Sequence, residues 1–440
     1  MIETIPALVG LLRSHGAHRF YAKRLSPNDN SKNQVYLGGD FSALNIIPHQ
    51  KVYVDDGDIA GSKRDRAKAK ILFSWVDEDV KHPAPYAQLI LYPKYPEVRM
   101  SGFLRGCRDA PAAVMRNRDE GRVMFFGVTH AGEVLGYAVG RQHPLAREIH
   151  GSERLHENGV FLEIPSDFEA GNTKSQLLAS LKRIYQKHWI QSKRLGPDNL
   201  PQPYKASNGG GYTLEAELGI PPNGHAKPDY LGWEIKQFGV EDFIKFRAKG
   251  AVTLMTPEPT GGLYRDVGVL EFMKRYAYPD PKGKPDRFNL GGTYRCTTRD
   301  FHHRTGLRLE LHGYDTPTGI ITDMTGGLVL SSRDGNVAAM WGFTKMMKHW
   351  NRKHAQVVYV PSLRKKSPPE YCFGPKVFIC EQTDFTLFLK AVSDGIVYYQ
   401  PGIKMERASE EKPAIKRRSQ FRIKYSHVRQ MYHEHAQIEL

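Results

Sequence analysis

Short apolar runs separated by turn residues characterise the chain from Phe20 to about Val139. Apolar stretches of this length, interrupted repeatedly by turn-forming residues, predict the strands of a β barrel or sandwich. The runs are Val35–Leu37, Lys51–Val54, Ala69–Val76, Ala87–Tyr92, Val123–Val128 and Val134–Val139. We therefore expect residues 1–165 to form a mainly β N-terminal domain, with Gly159–Ile164 as a candidate for one further strand.

A helical period replaces this pattern near residue 172. Asn172 or Thr173 is a suitable N-cap, and the apolar residues that follow fall on one face of a helix. These residues are Leu177, Leu178, Leu181, Ile184 and Tyr185. Farther along, the amphipathic segment Thr344–Lys353 precedes the strand-like Ala355–Val360, an alternation typical of α/β domains. The pattern predicts a second, α/β domain over residues 172–440.

Length and composition fit a multidomain protein. The 440 residues, of which 40% are hydrophobic and 25% charged, are enough for two or three domains with cores of their own. No run approaches the roughly 18 apolar residues that a membrane span needs. The N-terminus lacks the features of a secretory signal, and the four cysteines show no CxxC spacing. We expect a cytoplasmic protein with reduced cysteines and no membrane partner.

The net charge points to a polyanionic partner. Lys and Arg total 63 against 47 Asp and Glu, which leaves a formal charge of +16 and a sequence pI near 9.5. Fields of this sign attract phosphate backbones and supply much of the nonspecific affinity of DNA-binding proteins. On charge alone, a basic surface that is only solvated remains an alternative.

The segment Lys227–Lys236, which reads Lys-Pro-Asp-Tyr-Leu-Gly-Trp-Glu-Ile-Lys, carries the best chemical signal. On a strand, Glu234 and Lys236 project to the same face, and a bend near Gly232 brings Asp229 beside Glu234. Two carboxylates facing one point suit Mg²⁺, which leaves room for water and a phosphate oxygen. Metal and lysine together favour attack on phosphorus. A chance match remains open, because short acid–acid–lysine patterns are frequent in a chain this rich in charge.

A glycine-rich segment precedes this motif. Ser207–Ile220, with three consecutive glycines from Gly209, predicts a turn that leads into a short helix. Glu215 would lie on that helix and face the metal cluster. The segment lacks the Lys-Ser/Thr of a nucleotide-binding loop, so it does not indicate ATP dependence.

These motifs together resemble the MvaI/BcnI restriction endonucleases in order and spacing. Glu215 precedes Asp229 by 14 residues, and Asp229 precedes Glu234 by five. Further similarity lies in Lys249–Pro257, Val337–Val360 and Gln420–Tyr425. The resemblance spans about residues 175–440.

The resemblance implies an α/β PD-(D/E)XK nuclease fold that cuts double-stranded DNA with Mg²⁺ as cofactor. It implies that Asp229 and Glu234 bind the metal and that Lys236 activates or orients water. Glu215 would be an additional active-site acid, so these four are the candidate catalytic residues. Since MvaI-like enzymes act as monomers and cut the two strands in successive events, the resemblance also implies a monomer.

The N-terminal domain has a second resemblance. Phe20–Leu37 is similar to the start of effector domains of the EcoRII type, which are B3-like pseudobarrels that grip DNA between two arms. The implied DNA contacts are Lys23, Arg24, Asn28, Lys32 and Gln34 on one loop, which forms one arm, with Arg99, Arg105 and Arg108 opposite. An effector of this type joined to an MvaI-like nuclease implies a type IIE restriction endonuclease that binds a second copy of its DNA site. The alternative is an ordinary exposed basic edge of a β domain.

The sequence departs from the family where bases are read. The comparable regions here are Tyr399–Pro401 and Ile415–Arg417, and only Arg422 of the Phe-Arg-Ile motif matches clearly. Recognition of a CCNGG-like site is therefore an expectation without support from these residues. The candidate DNA contacts of the nuclease domain are Arg417, Arg418 and Arg422.

Two other functions remain open at this point. One is a DNA-binding regulator whose nuclease fold is vestigial, although an intact acid pair and lysine argue against it. The other is a DNA repair nickase with the same type of active site.

Overall fold

The computed structural model describes residues 2–27, 33–54, 66–78, 80–152, 155–165, 173–206, 208–222 and 229–440, apart from the side chain of Arg352. The chain forms two compact units. The first comprises Met1–Asn172 with Ile320–Met324, and the second Thr173–Gly319 with Thr325–Leu440. Of the helices described, none combines the length and the apolar character that crossing a membrane requires.

The first unit is built mainly from strands. Its elements are α1 (Ile5–Ser14), β1 (Ala17–Arg24), β2 (Val35–Tyr36), α2 (Ala43–Ile46), β3 (Tyr53–Val54), β4 (Ala67–Lys70), β5 (Leu72–Asp77), β6 (Val80–Pro83), β7 (Gln88–Tyr92), β8 (Glu97–Ser101), α3 (Ala112–Arg116), β9 (Val123–Thr129), β10 (Glu133–Val139), α4 (Pro144–Gly151), β11 (His156–Asn158) and β12 (Phe161–Ile164).

These strands form two sheets, with the orders β11-β12-β1-β9-β10-β5-β6 and β2-β8-β7-β4-β3. Strand β1 pairs antiparallel with β9 and β12, so the candidate strand near Gly159 is confirmed. The run Ala69–Val76 is divided between β4 and β5, which belong to different sheets. The apolar faces of β1, β9 and β12 pack with α1 and α4 in one core that includes Leu8. The mainly β character predicted for this part of the chain is therefore correct.

The second unit begins with α5 (Thr173–Gln186), as its helical period predicts. The elements up to residue 291 are β13 (Trp189–Gln191), β14 (Lys193–Leu195), β15 (Pro201–Pro203), α6 (Gly209–Glu217), β16 (Glu234–Gly239), β17 (Ala251–Met255), α7 (Leu263–Asp266), α8 (Val269–Tyr276), β18 (Tyr278–Pro279) and β19 (Arg287–Gly291).

The rest of the chain alternates strands and helices. Its elements are β20 (Leu307–His312), β21 (Tyr314–Asp315), β22 (Ile320–Ile321), β23 (Gly327–Ser332), β24 (Val337–Gly342), α9 (Phe343–His354), β25 (Gln356–Lys366), β26 (Pro369–Phe373), β27 (Lys376–Glu381), α10 (Phe385–Ser393), β28 (Tyr398–Tyr399), β29 (Gly402–Glu406), β30 (Ala414–Lys416), β31 (Phe421–Lys424), a 3₁₀ helix (Tyr425–Met431) and β32 (Glu434–Glu439). Segment Ile320–Met324, which holds β22, groups with the first unit.

A mixed sheet with the order β13-β26-β25-β27-β32 forms the centre of this unit, and β16 joins it parallel to β25. Helix α5 covers the sheet because Leu177, Leu181 and Ile184 are buried in the same core as Ile235 and Val358. The strand after β16, β17, belongs to a smaller sheet with the order β17-β31-β28. This arrangement brings β16, β17 and β31 to one region of the unit.

Candidate active site

Strand β16 supplies two of the candidate catalytic side chains. Its register with β25 pairs Glu234 with Val357 and Lys236 with Tyr359. Ile235, between them, packs into the core, so Glu234 and Lys236 point the other way. Glu234 is only 2% exposed, whereas Lys236 retains some exposure at the edge of a cleft.

A tight turn brings Asp229 back to the start of β16. Tyr230 and Trp233 exchange two backbone hydrogen bonds, of 2.9 and 2.8 Å, across Leu231 and Gly232. Gly232 has a φ of +86°, a conformation that favours glycine. Asp229 Oδ2 then accepts a hydrogen bond of 3.1 Å from the backbone N–H of Ile235. The acid that stands five residues earlier in sequence therefore lies beside the strand.

Helix α6 supplies Glu215, and its glycines let it pack close to the sheet. The three glycines from Gly209 form the first turn of the helix rather than the separate turn that the sequence predicts. A Cβ on Gly210 would lie 2.8 Å from Gln237 Oε1, and one on Gly209 would lie 2.5 Å from Ser192 Oγ. A side chain at either position would therefore require Ser192, Gln237 or Tyr371 to shift.

These elements enclose a cleft of about 450 Å³. Its walls hold three acids and two lysines, together with one arginine on the far strand β31. The lining residues used below are Gly211, Glu215, Asp229, Glu234, Lys236, Gly239, Gly250, Ala251, Lys353 and Arg422. The structure thus brings the four candidate catalytic residues together.

The three acids differ in how easily they lose a proton. Burial, with the nearby charges of Asp229 and Glu234, raises the pKa of Glu215 to about 7. Burial and the charge of Glu234 likewise raise the pKa of Asp229 to about 6. Burial would also raise the pKa of Glu234, but Lys236 and Lys353 outweigh it and lower that pKa below its ordinary value. Glu234 is therefore the acid that stays ionised.

Lys353 is the site residue that sequence reasoning missed. Its Nζ lies 3.4 Å from Glu234 Oε1, the same oxygen that Lys236 Nζ approaches to 2.6 Å. Lys353 lies in the last turn of α9, on the same side of the helix as the buried Met346 and Trp350, which stand seven and three positions earlier. The amphipathic period predicts this helix, but only the fold shows that Lys353 reaches Glu234 on β16.

His349 stands one turn before Lys353 on the same helix. Burial and the two lysines lower its pKa to about 4, so the imidazole is neutral near pH 7. The site therefore contains two ammonium groups next to a neutral ring rather than three cations.

The acids provide a donor set that fits a divalent cation. Within the described part of the chain, Glu234 Oε2 is buried without a hydrogen-bond partner. A hard cation bound there by Glu234 and Asp229 would satisfy that oxygen. Among the described residues, no three or more His, Cys, Asp or Glu side chains are arranged so that they could hold one metal ion together. A cation at this site would therefore keep much of its water, as Mg²⁺ commonly does.

The predicted DNA contacts of the first arm are placed differently from the expectation. Lys23 and Arg24 belong to strand β1 and not to a loop. Lys23 is 5% exposed and donates to the Arg24 carbonyl, and burial lowers its pKa to about 8. Arg24 is exposed and donates to the Ile149 carbonyl over 3.0 Å. Asn28 and Lys32 lie outside the described residues.

Two of the remaining candidates of the first unit, Gln34 and Arg99, contact each other directly instead of lying in opposite arms. Gln34 Oε1 accepts from Arg99 over 3.4 Å, because the short strand β2 pairs directly with β8. Arg99 also forms an ion pair with Glu97. Arg105 and Arg108 are exposed, and the Arg105 guanidinium lies 4.6 Å from the centre of the Tyr86 ring.

Of the three arginines proposed for the nuclease domain, Arg422 reaches the cleft. It donates to Gln400 Oε1 over 2.5 Å and to the Ala251 carbonyl. Burial lowers its pKa from the usual arginine value, and the nearby Arg418 adds to the shift. Arg417 and Arg418 are exposed at the adjoining surface, where Arg417 lies 3.8 Å from Glu258.

Comparison with known proteins identifies the second unit. The model of the MvaI/BcnI restriction endonuclease family matches residues 178–432, which is more than half of the chain. The chain belongs to the MvaI/BcnI restriction endonuclease family. The family match includes Glu215, Asp229, Glu234, Lys236 and Lys353. The resemblance predicted from the motifs is thereby confirmed at the level of the family.

Two solved structures of the restriction endonuclease MvaI are also similar, each at 15% identity. The complex of MvaI with its cognate DNA substrate aligns over 61% of this chain and 99% of that one, with a TM-score of 0.46. MvaI in the absence of DNA aligns over 62% and 100%, with a TM-score of 0.34. No curated protein matches the chain.

Membership of the MvaI/BcnI family makes this protein a site-specific nuclease with a restriction-endonuclease domain. The family match begins at residue 178, so it does not include the N-terminal unit.

Proposed function

We propose that the protein is a Mg²⁺-dependent type II restriction endonuclease that hydrolyses phosphodiester bonds in double-stranded DNA at a short specific site. The observation that carries this proposal is the meeting of Glu215, Asp229, Glu234, Lys236 and Lys353 in one cleft of a chain from a restriction-endonuclease family. Acids, lysines and a site for a hard cation are the groups that phosphodiester hydrolysis uses.

Asp229 and Glu234 would hold the metal. Glu234 is kept ionised by two lysines, and its second oxygen is unsatisfied within the described structure. Asp229 has one oxygen engaged with the Ile235 N–H, which fixes the orientation of its carboxylate. A bound Mg²⁺ would supply Lewis acidity toward a phosphate oxygen and lower the pKa of a bound water.

Lys236 and Lys353 supply positive charge at the reacting phosphate. In the protein alone both ammonium groups contact Glu234 Oε1. A lysine in such a position can orient the attacking water and stabilise the additional negative charge that develops on phosphorus. We assign Lys236 to orienting the attacking water, the role that the family motif implies, and Lys353 to keeping Glu234 ionised.

Glu215 is the remaining acid of the cleft. Because its pKa is about 7, this carboxyl group can both hold and release a proton near neutral pH. We propose that it exchanges protons with solvent or leaving group at the edge of the site. A cation at Asp229 and Glu234 would favour its ionised form.

DNA would be read beside this cleft. Arg422 is placed to contact the substrate because it lines the cleft on the strand opposite β16, and Arg417 and Arg418 extend the basic surface. A CCNGG-like site is our proposal for the sequence read, on the basis of family membership.

The first unit is proposed to be a B3-like effector domain that binds a second copy of the site, which would make the enzyme type IIE. Its mainly β architecture and the exposed Arg24, Arg105 and Arg108 support this role. Lys23, Gln34 and Arg99 are less accessible, because they are buried or paired within the unit. Asn28 and Lys32, which lie outside the described residues, stay candidate DNA contacts from the sequence alone. We propose that the enzyme is a monomer.

Incubation of the protein with long mixed-sequence DNA and Mg²⁺ tests the proposal. Discrete double-strand fragments with a shared sequence at their ends are expected. Nicks confined to mismatches would instead support a repair nickase, and DNA that is shifted in a gel but uncut would support a regulator. Plasmids with one and with two sites then test the effector role, because two sites in one molecule raise the local concentration of the second.

A further inference from the structure

The connection between β16 and β17 is a hydrogen-bonded loop at the edge of the cleft, which we call the β16–β17 loop (residues 240–250). Val240 and Ala248 form a bridge, and the Lys249 N–H donates to the Gly239 carbonyl over 2.9 Å. Farther out, the Glu241 N–H donates to the Arg247 carbonyl over 3.0 Å. These bonds form a local hairpin at the end of β16 and fix the direction of the loop.

The side chain of Asp242 holds the tip of the loop in place. Asp242 Oδ1 accepts from the backbone N–H groups of Ile244 and Lys245, over 2.8 and 2.6 Å. The rings of Phe243 and Phe246 lie 6.1 Å apart at its base. An aspartate that bonds the residues two and three positions ahead preorganises a turn before any partner arrives.

This fixed tip presents Ile244 to solvent. Ile244 is 91% exposed, the highest value for a large hydrophobic residue in the described part of the chain. Holding an isoleucine in water forgoes the favourable burial of its side chain. A rigid loop with an exposed apolar tip indicates a surface that becomes buried in a complex.

Charge identifies the partner that this loop fits. Lys245, Arg247 and Lys249 are exposed around the tip and outnumber the one exposed acid of the loop, Glu241. The aliphatic part of Lys249 lies 4.0 Å from the position of a Cβ on Gly239, which lines the cleft together with Gly250. An apolar tip surrounded by cations and continuous with a nuclease cleft matches the stacked bases and flanking phosphates of duplex DNA.

We propose that the β16–β17 loop inserts Ile244 as a wedge between base pairs, from the minor groove, when duplex DNA occupies the cleft. Lys245 and Arg247 then contact the phosphates on either side of the wedge. This inference rests on the proposed function, since it requires that the cleft binds duplex DNA. Insertion unstacks one base step and bends the duplex, which gives the loop a role in site selection through DNA deformability.

The test uses DNA binding rather than cleavage. Ile244→Ala, Ile244→Leu and the control Val267→Ala are made in full-length protein that also carries Lys236→Ala, so that the DNA stays intact. Val267 is a suitable control because it is 64% exposed in the same unit. The probe is a short duplex that contains a cleavage site mapped with the unsubstituted enzyme. Ile244→Ala should weaken binding about tenfold through lost apolar burial, whereas Ile244→Leu and Val267→Ala should not.

Two further readouts separate a wedge from a general loss of folding. A 2-aminopurine base placed at the inserted step should fluoresce more strongly on binding to protein with isoleucine or leucine at the tip, and not on binding to Ile244→Ala. Lys245→Met and Arg247→Met should each reduce the slope of log affinity against log salt by about 0.9, the value for one lost phosphate contact. Ile244→Ala should leave that slope unchanged.

Equal affinity and equal 2-aminopurine signal for Ile244→Ala and the protein that retains Ile244 would overturn the wedge while leaving the proposed nuclease function intact. A change in sedimentation of Ile244→Ala without any change in DNA affinity would overturn it as well, because the apolar tip would then contact another protein copy. Failure of the unsubstituted enzyme to cut DNA would instead contradict the proposed function.

Discussion

Lys353 Nζ lies 3.4 Å from Glu234 Oε1, although the two residues are 119 positions apart in the chain. Strand β16 carries Glu234, and helix α9 carries Lys353 immediately before β25, which pairs parallel with β16. The contact therefore depends on the central sheet of the unit. The contact gives Glu234 a second neighbouring cation, which helps to lower its pKa. Burial instead raises the pKa values of the other two acids of the cleft.

Replacement of Lys353 by methionine should lower the cleavage rate about tenfold to a hundredfold, which corresponds to the loss of one charge-assisted contact to a buried carboxylate. Lys353→Arg should retain more activity because it keeps the charge. Lys345→Met provides the control, since Lys345 is exposed on the same helix. Rates are measured under single-turnover conditions. Equal rates for Lys353→Met and Lys345→Met would mean that Lys353 has no role in cleavage.

The raised pKa of Glu215 predicts a pH-dependent effect on stability. The folded protein binds this proton up to about pH 7, whereas the ordinary value is 4.5. The carboxyl group therefore destabilises the metal-free fold increasingly as pH rises from about 4.5 through about 7. Glu215→Gln should raise the melting temperature at pH 8 and have a much smaller effect at pH 5. Thermal unfolding in EDTA measures both, and an equal effect at the two pH values would contradict the assigned environment.

The two neighbouring glycines Gly210 and Gly211 should respond oppositely to alanine. A Cβ at Gly210 would lie 2.8 Å from Gln237 Oε1, so Gly210→Ala should destabilise the unit by about 1–3 kcal/mol and displace Glu215. Gly211 has no atom within 4 Å of its would-be Cβ, so Gly211→Ala should stabilise the helix by about 0.5–1 kcal/mol. Chemical denaturation of both variants tests the pair, and similar shifts would argue against close packing of α6 on β16.

Arg105→Ala should reduce the advantage of plasmids with two sites over plasmids with one, because Arg105 is exposed in the proposed effector surface. The cleavage rate on one-site plasmids should change little. Arg147→Ala is the matched control, an exposed arginine of the same unit on α4. If both variants kept the full two-site advantage, Arg105 would have no part in binding a second site.

The central chemistry could be predicted from the sequence because it is local. Asp229, Glu234 and Lys236 lie within eight positions of one another in the printed sequence, and strand alternation with one turn is enough to bring them together. The strands and helices with clear periods, such as α5, were predictable for the same reason. The family resemblance extended the prediction from the local motif to most of the second unit.

Features set by distant contacts could not be predicted in this way. The glycines of α6 indicate a turn because glycine disfavours helices, yet packing against Gln237 and Tyr371 requires small residues there. Lys23 was expected to be an exposed DNA contact, but pairing of β1 with two neighbours buries it. Lys353 is part of the site only because α9 leads into β25, the strand beside β16, and brings the lysine to Glu234.

The most direct test of the account is cleavage of site-containing DNA by Lys236→Ala beside the unsubstituted enzyme and the control Lys390→Ala, whose lysine is exposed on α10. With Mg²⁺, the enzyme and the control should give the same discrete fragments. Lys236→Ala should bind the DNA with similar affinity but leave it uncut, and chelation of the metal should stop cleavage by the unsubstituted enzyme and by the control. Undiminished cleavage by Lys236→Ala would contradict the assignment of the active site.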